Sequence, residues 1–142
     1  MKRTGSAIWH GDLRGGAGAL ATHSGVLKET PYTFASRFES AGHTNPEELI
    51  AAAHAGCFTM ALTAALGKAG FTPKRLATQA TVTLEQIGAA WTISRVHLEN
   101  EAWVPGITAA QFDSIAADAK ANCPVSRLLR AEITLHAKLE PM

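Results

Sequence analysis

The chain has 142 residues, of which 46% are hydrophobic and 18% are charged. This length suffices for a buried core but is short for two, so we expect one globular domain covering residues 1–142. The formal net charge is +1, from 13 basic and 12 acidic residues without a long run of either sign, and nucleic-acid binding therefore lacks its usual electrostatic basis.

The N-terminal segment has no apolar stretch of signal-peptide length, so we expect a cytoplasmic protein.

The first 39 residues predict β structure. Residues 6–22 hold two short apolar stretches separated by glycines, a pattern that predicts a hairpin. Residues 31–39 alternate between two faces, which predicts a strand with its aromatic side chains, including Phe38, on a core and with Arg37 on the opposite face.

Residues 44–70 predict one long central helix. Asn45 is a typical N-cap, Glu48 three residues later completes a capping box, and Gly70 is a typical stop. Such a helix has roughly 24 residues and a length of about 36 Å. Because residues 49–66 include no Asp, Glu, Lys or Arg, the helix lacks a polar stripe, and we expect it to be buried on more than one side.

The charge-free run also has the length of a membrane span. It is rich in Ala and includes His54, Thr59 and Thr63, whereas a lipid-facing span is denser in Leu, Ile and Val. These features favour the central helix of a soluble fold, and we expect no membrane partner.

The second half of the chain predicts four more elements. Residues 76–86 and 91–99 alternate as the two strands of a hairpin, and the apolar face of the second strand switches midway, which indicates a bulge or a strong twist. A capping box at Thr108 opens a helix that ends near Asn122, and residues 132–140 alternate as a last strand. The resulting order, β-β-β-α-β-β-α-β, is an α+β pattern.

Two cysteines are the main candidates for chemistry. Their spacing matches no zinc site, so we expect no metal, and a reducing cytoplasm disfavours a permanent structural disulfide. Cys57, in the middle of the central helix, is either an inert buried thiol or a nucleophile. A thiolate there requires a cation, which Arg37 can supply; the alternative is that Arg37 pairs with Glu39 at the surface.

Cys123 and His54 each have two open interpretations, and Glu47 has one. Cys123, directly before Pro124, is either a free thiol at a helix end or the partner that condenses with a sulfenic acid on Cys57. His54, one turn before Cys57, is either a base or a hydrogen-bonded core histidine. Glu47 has a sufficient explanation in the helix dipole, which favours carboxylates in the first turn.

Three segments resemble a known family: PYTFASRFE at residues 31–39, TNPEELIAAAHAGCFTMAL at 44–62 and NCPVSRLLRAEITL at 122–135. Together they closely resemble the osmotically inducible protein C (OsmC) branch of the OsmC/Ohr family of thiol peroxidases, and the likeness extends over nearly the whole chain. The organic hydroperoxide resistance (Ohr) branch draws its arginine from an earlier segment, so the RFE motif favours the OsmC branch.

The resemblance implies roles for four residues. In the family, the cysteine matching Cys57 is peroxidatic and the one matching Cys123 is resolving, while the arginine and glutamate matching Arg37 and Glu47 hold and activate the thiolate. The implied activity is the reduction of organic hydroperoxides by thiols, without metal or other cofactor, with a dihydrolipoyl group or a small thiol as the reductant. The implied fold is an intertwined homodimer in which antiparallel sheets wrap two long central helices.

Two further expectations concern the substrate and the subunits. Phe58 and Phe38 are expected to offer apolar surface near Cys57, which would favour organic hydroperoxides over hydrogen peroxide. Ten helical residues separate Glu47 from Cys57, a distance of about 15 Å along the axis. We therefore expect the carboxylate near each Cys57 and Arg37 to come from the other subunit.

Two other functions stay open from the sequence. One is a redox-sensing or small apolar ligand-binding domain with little turnover, although a binding module requires neither thiol, so the pair of cysteines favours the enzyme. The other is an acyl-transfer enzyme that uses Cys57 with His54, and it would not require Cys123.

Overall fold

A computed structural model describes residues 1–39 and 42–142 of the chain. Two compact units make up the chain, residues 1–49 and residues 50–142, and the prediction of one domain over residues 1–142 stays a prediction. The elements follow the order β-β-β-α-α-β-β-α-α-β. This composition confirms the α+β class, and two short helices are additional to the predicted order.

The first unit contains an antiparallel sheet of three strands, β1 (Gly5–His10), β2 (Ala17–Thr22) and β3 (Thr30–Tyr32). The first two strands form the predicted hairpin. The rings of Trp9 and Tyr32 meet edge to face with their centroids 5.4 Å apart. A Cβ on Gly18 would lie 2.5 Å from the Tyr32 ring and 2.7 Å from the Trp9 ring, so only glycine lets the two rings close over this strand.

The predicted strand over residues 31–39 is wrong for most of its length. Helix α1 (Phe34–Phe38) follows the short strand β3 instead, and Thr33 caps its start in a reciprocal capping box with Ser36. The spacing that predicted alternation also puts the two phenylalanines at the helix ends four residues apart, on one helical face, with their centroids 4.8 Å apart. The aromatic spacing fits a strand and a helix alike, and the capping box at Thr33 favours the helix.

Helix α2 (Pro46–Lys68) matches the predicted central helix in position and, with 23 residues, in length. Asn45 caps its start, because the side-chain Oδ1 accepts the backbone N–H of Glu48 at 2.8 Å. Gly70 has a φ of +88°, and this left-handed conformation lets the backbone N–H groups after the helix reach carbonyl oxygens of its last turn.

One face of α2 is buried in the single chain. Phe58, Leu62 and Leu66 follow one another at intervals of four residues and have no exposed surface, whereas Met60 on the opposite side is 76% exposed. The chain by itself thus covers one side of the helix, and cover by a second subunit stays a prediction. The helix is long and apolar enough to cross a membrane by composition, a test that the core helix of a soluble protein also passes.

The second unit is built on a sheet of strands β4 (Arg75–Ile87), β5 (Ala90–Trp103) and β6 (Glu132–Leu139). Strands β4 and β5 form the predicted hairpin, with Gly88 in the turn at a φ of +62°. The register of this pair shifts between Thr83 and Leu84, which confirms the predicted bulge.

Strand β6 pairs with β5 in parallel, so the prediction of antiparallel sheets is wrong at this edge. Helix α3 (Ala109–Asn122) lies between the two strands in the chain, and a helical crossover of this kind is the usual connection of parallel neighbours. The helix has the predicted limits, and Thr108 caps it in a capping box with Gln111.

Helix α4 (Pro124–Leu128) follows α3 after a single residue, Cys123, which ends one helix and begins the other. The core of the second unit brings these helices together with α2 and the sheet. Its buried apolar residues are Phe58, Leu62, Leu66, Val96, Leu98, Ala102, Val104, Phe112, Ala116, Ala119 and Cys123.

Replacement of Gly70 should destabilise the chain through the backbone alone. Gly70→Ala is expected to lower the free energy of unfolding by about 1 kcal/mol, because a residue with a Cβ disfavours positive φ. A Cβ at this position meets no heavy atom within 4 Å, so no clash contributes. Gly70→Asn is the matched control and should cost less, since Asn tolerates the left-handed region. Urea unfolding measures the stability of the wild type and of both variants. Equal stabilities would contradict the backbone role assigned to Gly70.

Candidate active site

The two cysteines meet in the second unit. Cys57, half-buried on α2, and Cys123, fully buried between α3 and α4, place their Sγ atoms 3.0 Å apart, and both are free thiols. Pro124 disfavours helical conformation at Cys123, whose φ and ψ of −54° and 129° are extended and end α3 at this point. The structure therefore brings together two thiols that lie 66 residues apart, at a distance from which a small shift would form a bond.

The two thiols influence each other's ionisation. Burial raises the pKa of the Cys57 thiol, and the hydrogen bond with Cys123 and repulsion by its thiolate raise it further. Burial also acts to raise the pKa of Cys123, but the neighbouring Cys57 thiol and the polar groups at the start of α4 outweigh burial and lower it. Because the two thiols interact, their protons leave in two steps that belong to the pair.

His54 is the buried histidine of α2. Its Nε2 atom lies 2.7 Å from the Ser126 hydroxyl oxygen, and burial lowers the pKa of the ring. This contact matches the interpretation as a hydrogen-bonded core histidine. The role of a base toward Cys57 stays a prediction, because the contact with Ser126 engages only one of the two ring nitrogens.

Arg37 and Glu47 form an ion pair in the first unit. The Arg37 Nη2 atom donates to Glu47 Oε1 at 2.8 Å, and its Nε atom lies 3.0 and 3.3 Å from the two carboxylate oxygens. Both residues belong to the same chain, which corrects the expectation that the carboxylate partner of Arg37 comes from the other subunit. Glu47 is the carboxylate of this pair, whereas Glu48 contacts Asn45.

Arg37 lies on helix α1 and not on a strand, and its guanidinium packs over the Phe38 ring at 5.3 Å. Both line an aromatic groove of the first unit with a volume of about 360 Å³. The other lining residues are Trp9, Leu13, Tyr32, Thr33 and Phe34. The groove thus combines apolar surface with one cation, a composition suited to a small apolar molecule that carries a polar end.

Phe58, expected to offer apolar surface to a substrate, has no exposed surface and packs in the core of the second unit. Phe38 keeps partial exposure in the groove. The six predicted site residues thus fall into a thiol pair and a core residue in one unit, and an ion pair with an aromatic ring in the other. Their roles in chemistry stay predictions.

Sequence reasoning missed Ser126, although a signal for it is present. In the segment CPVS, Cys123 stands at the N-cap, Pro124 at the first helical position and Ser126 at the third, which is the spacing of a helix start. Within residues 1–39 and 42–142, no three side chains of His, Cys, Asp or Glu gather as metal ligands would.

Comparisons with known proteins place the chain in a family. Residues 39–138 match a family model described as OsmC-like protein. The chain is 51% identical over 140 residues to Peroxiredoxin OsmC of Escherichia coli, covering 99% of this chain and 98% of that protein, and the Shigella flexneri protein of the same name gives the same values.

Solved structures share the fold at lower identity. An OsmC-like protein from Mycoplasma pneumoniae matches with a TM-score of 0.76 at 13% identity, covering 99% of both chains. An organic hydroperoxide resistance protein from Elizabethkingia anophelis matches with a TM-score of 0.71 at 24% identity, covering 100% of this chain and 99% of that one. With a matching family model over most of its length and a full-length relative at 51% identity, the chain belongs to the OsmC family.

Proposed function

We propose that this chain is a cysteine-based peroxidase that reduces organic hydroperoxides with thiol reductants, through Cys57 and Cys123. The observation that carries the proposal is the 3.0 Å contact between the two sulfur atoms in a chain that is 51% identical to a peroxiredoxin. A peroxidase that cycles through an intramolecular disulfide requires two thiols at such a distance.

The reaction begins with the Cys57 thiolate. Its sulfur attacks the distal oxygen of the hydroperoxide, the O–O bond breaks, and the alcohol leaves with a proton while Cys57 becomes a sulfenic acid. Cys123 then displaces the hydroxyl of the sulfenic acid as water and forms the disulfide. A thiol reductant, for which we propose a dihydrolipoyl group or a small thiol, reduces the disulfide, so the sum is ROOH + 2 RSH → ROH + H2O + RSSR.

Arg37 supplies the charge that the thiol pair lacks. Burial raises the pKa of Cys57, and the groups that act on it within its own unit include no cation. A guanidinium held by Glu47 would lower the pKa of the thiol and stabilise negative charge on the peroxide oxygens as the bond breaks. Since Glu47 fixes two nitrogen atoms of Arg37, the orientation of the guanidinium is set before any substrate binds.

The pair Arg37–Glu47 is proposed to act as one unit across the interface of a homodimer. Ten residues of continuous helix separate Glu47 from Cys57, about 15 Å along the axis, which is too far for one arginine to bridge within the chain. Two α2 helices that pack antiparallel would bring the start of one toward the middle of the other. The exposed face around Met60 supports such packing, since this chain leaves it uncovered.

The alternative functions receive less support. A sensing or ligand-binding domain does not explain why both thiols are placed in contact, and an acyl-transfer enzyme does not explain Cys123 or the bond from His54 to Ser126. We further propose a cytoplasmic location, because a free thiol pair is consistent with a reducing compartment.

The two cysteines should give opposite single-turnover results. Cys57→Ser should abolish peroxide reduction, because the first bond to oxygen forms at this sulfur. Cys123→Ser should still consume one equivalent of hydroperoxide but leave the Cys57 sulfenic acid open to further oxidation. Rapid quench and peptide mass spectrometry distinguish the products, with a Cys57–Cys123 bridge expected in the wild type. Full activity of Cys57→Ser would contradict the proposal that the Cys57 sulfur attacks the peroxide.

The aromatic groove should favour organic hydroperoxides. Burial of ~60 Å² of alkyl surface at ~25 cal/mol per Å² is worth roughly 1.5 kcal/mol, about tenfold in kcat/KM for tert-butyl hydroperoxide over hydrogen peroxide. Phe38→Ala should narrow this ratio, while Phe38→Leu, the matched control, should keep most of it. Both substrates depend on Arg37, so their ratio isolates the apolar contact. An equal or better kcat/KM of the wild type with hydrogen peroxide would contradict the inference.

A mixed dimer tests which chain completes each site. One chain carries Cys57→Ser and the other Glu47→Ala, so the single remaining Cys57 lacks Glu47 on its own chain but has it on the partner. If the ion pair acts across the interface, the purified heterodimer should retain about half of the wild-type activity. A heterodimer of a Cys57→Ser chain and an Arg37→Ala chain should retain the same activity, because Arg37 and Glu47 act as one pair. Nearly dead heterodimers would instead mean that the pair acts within its own chain.

A further inference from the structure

The two cysteines of the thiol pair differ in how far a molecule from outside can reach them. Cys123 has no exposed surface and belongs to the core of the second unit. Cys57, whose sulfur lies 3.0 Å away, keeps part of its surface exposed. A disulfide between them has two possible points of attack for a thiol reductant, and the accessibility of the two sulfurs decides between them.

The position of Cys57 on α2 explains its partial exposure. Three residues along an α-helix turn by about 300°, so His54 and Met60 lie about 60° to either side of Cys57. His54 has no exposed surface, whereas Met60 is 76% exposed. Cys57 therefore lies at the border between the buried and the exposed faces of the helix, where part of the residue meets solvent.

Cys123 is enclosed by the helices on both sides of it in the chain. Its backbone N–H donates to the carbonyl oxygen of Ala119 at 3.0 Å, and Ala116 and Ala119 of α3 are buried with it. Val125 of α4 packs against the same core. A second subunit adds cover to a surface and does not remove it when the backbone keeps its conformation, as is usual on association. Cys123 is therefore inaccessible in a dimer as well.

The proposed first step provides a route to Cys57. A hydroperoxide that reacts with the Cys57 thiolate has to reach this sulfur in any assembly that turns over. A small thiol can enter by the same route after the peroxide product has left. None of the steps requires a second route that leads to Cys123.

We infer that the thiol reductant attacks the disulfide at the Cys57 sulfur and that Cys123 is the leaving group. This inference rests on the proposed function and specifies its reductive half. The thiolate of the reductant forms a bond to the Cys57 sulfur while the Cys57–Cys123 bond breaks. The electron pair of that bond goes to the Cys123 sulfur, which takes up the proton that the reductant lost. A second thiol then attacks the reductant's sulfur in the mixed disulfide, so RSSR leaves and Cys57 returns as a thiol with the second proton.

The ionisation of the pair favours the same direction. Burial raises the pKa of Cys57. Burial also acts to raise the pKa of Cys123, but the Cys57 thiol and the polar groups at the start of α4 outweigh it and lower this pKa. A thiol of lower pKa is the better leaving group in thiol–disulfide exchange. Cys123 is thus the better leaving group as well as the less accessible sulfur.

Trapping of the mixed disulfide tests the point of attack. The bridge is formed with diamide, an oxidant that does not require peroxidase turnover, and the protein is then mixed with excess mercaptoethanol and quenched in acid. After alkylation of the free thiols, peptide mass spectrometry should find mercaptoethanol mainly on Cys57 and the alkyl group on Cys123, by about tenfold over the opposite pattern. Equal amounts, or a majority of mercaptoethanol on Cys123, would overturn the inference.

Two single-cysteine variants give a readout that does not depend on the lifetime of the mixed disulfide. Cys123→Ser leaves Cys57 as the only thiol, and Cys57→Ser leaves Cys123. The rate of iodoacetamide alkylation reaches a plateau at high pH, and the plateau compares the two thiolates themselves. Cys57 should react about tenfold faster in the folded protein and at a similar rate in urea, where the fold no longer shields either sulfur. Equal plateau rates in the folded proteins would contradict the inference, because they would show that Cys123 is as accessible as Cys57.

The outcomes separate the inference from the proposed function. If tert-butyl hydroperoxide oxidises Cys57 and the bridge to Cys123 forms, but mercaptoethanol is found on Cys123, the inference is overturned and the peroxidase stands. If the hydroperoxide leaves Cys57 reduced, the proposed function is overturned, whatever the mapping of the diamide-formed disulfide shows.

Discussion

The contact between the Cys57 and Cys123 sulfurs depends on the core of the second unit. Helix α2 presents Cys57 beside the buried stripe that begins with Phe58, and that stripe fixes the rotation of the helix. Cys123 is itself part of the core, held where α3 ends and α4 begins. Because close-packed cores resist displacement, the 3.0 Å distance between two residues far apart in sequence is a product of packing on both sides.

The burial that brings the sulfurs together also hinders their ionisation. It raises the pKa of Cys57, so a thiolate at this position requires an external positive charge. The first unit contains such a charge in an ordered form, since the Glu47 carboxylate fixes the Arg37 guanidinium beside aromatic rings. Under the proposed function, the thiol pair carries the sulfur chemistry and the ion pair supplies an oriented cation.

Sequence patterns predicted most of the fold because local signals and burial agree along most of the chain. The limits of α2 and α3 follow from capping residues, and the bulge in the β4–β5 hairpin follows from the switch of the apolar face. Residues 31–39 were misassigned because their aromatic spacing fits a strand and a helix alike, and only the capping box of Thr33 separates the two. The parallel pairing of β6 has no local signal, since it depends on the path of the chain through α3.

The sequence by itself determined the family, the two thiols and the charge-free helix, because these are written in residue types and their spacing. Only the tertiary structure decided that Glu47 pairs with Arg37 of its own chain, that Phe58 belongs to the core, and that Ser126 contacts His54. The reason is physical. Spacing along a chain fixes which face of an element a side chain occupies, but partners from distant segments meet only where packing brings their elements together.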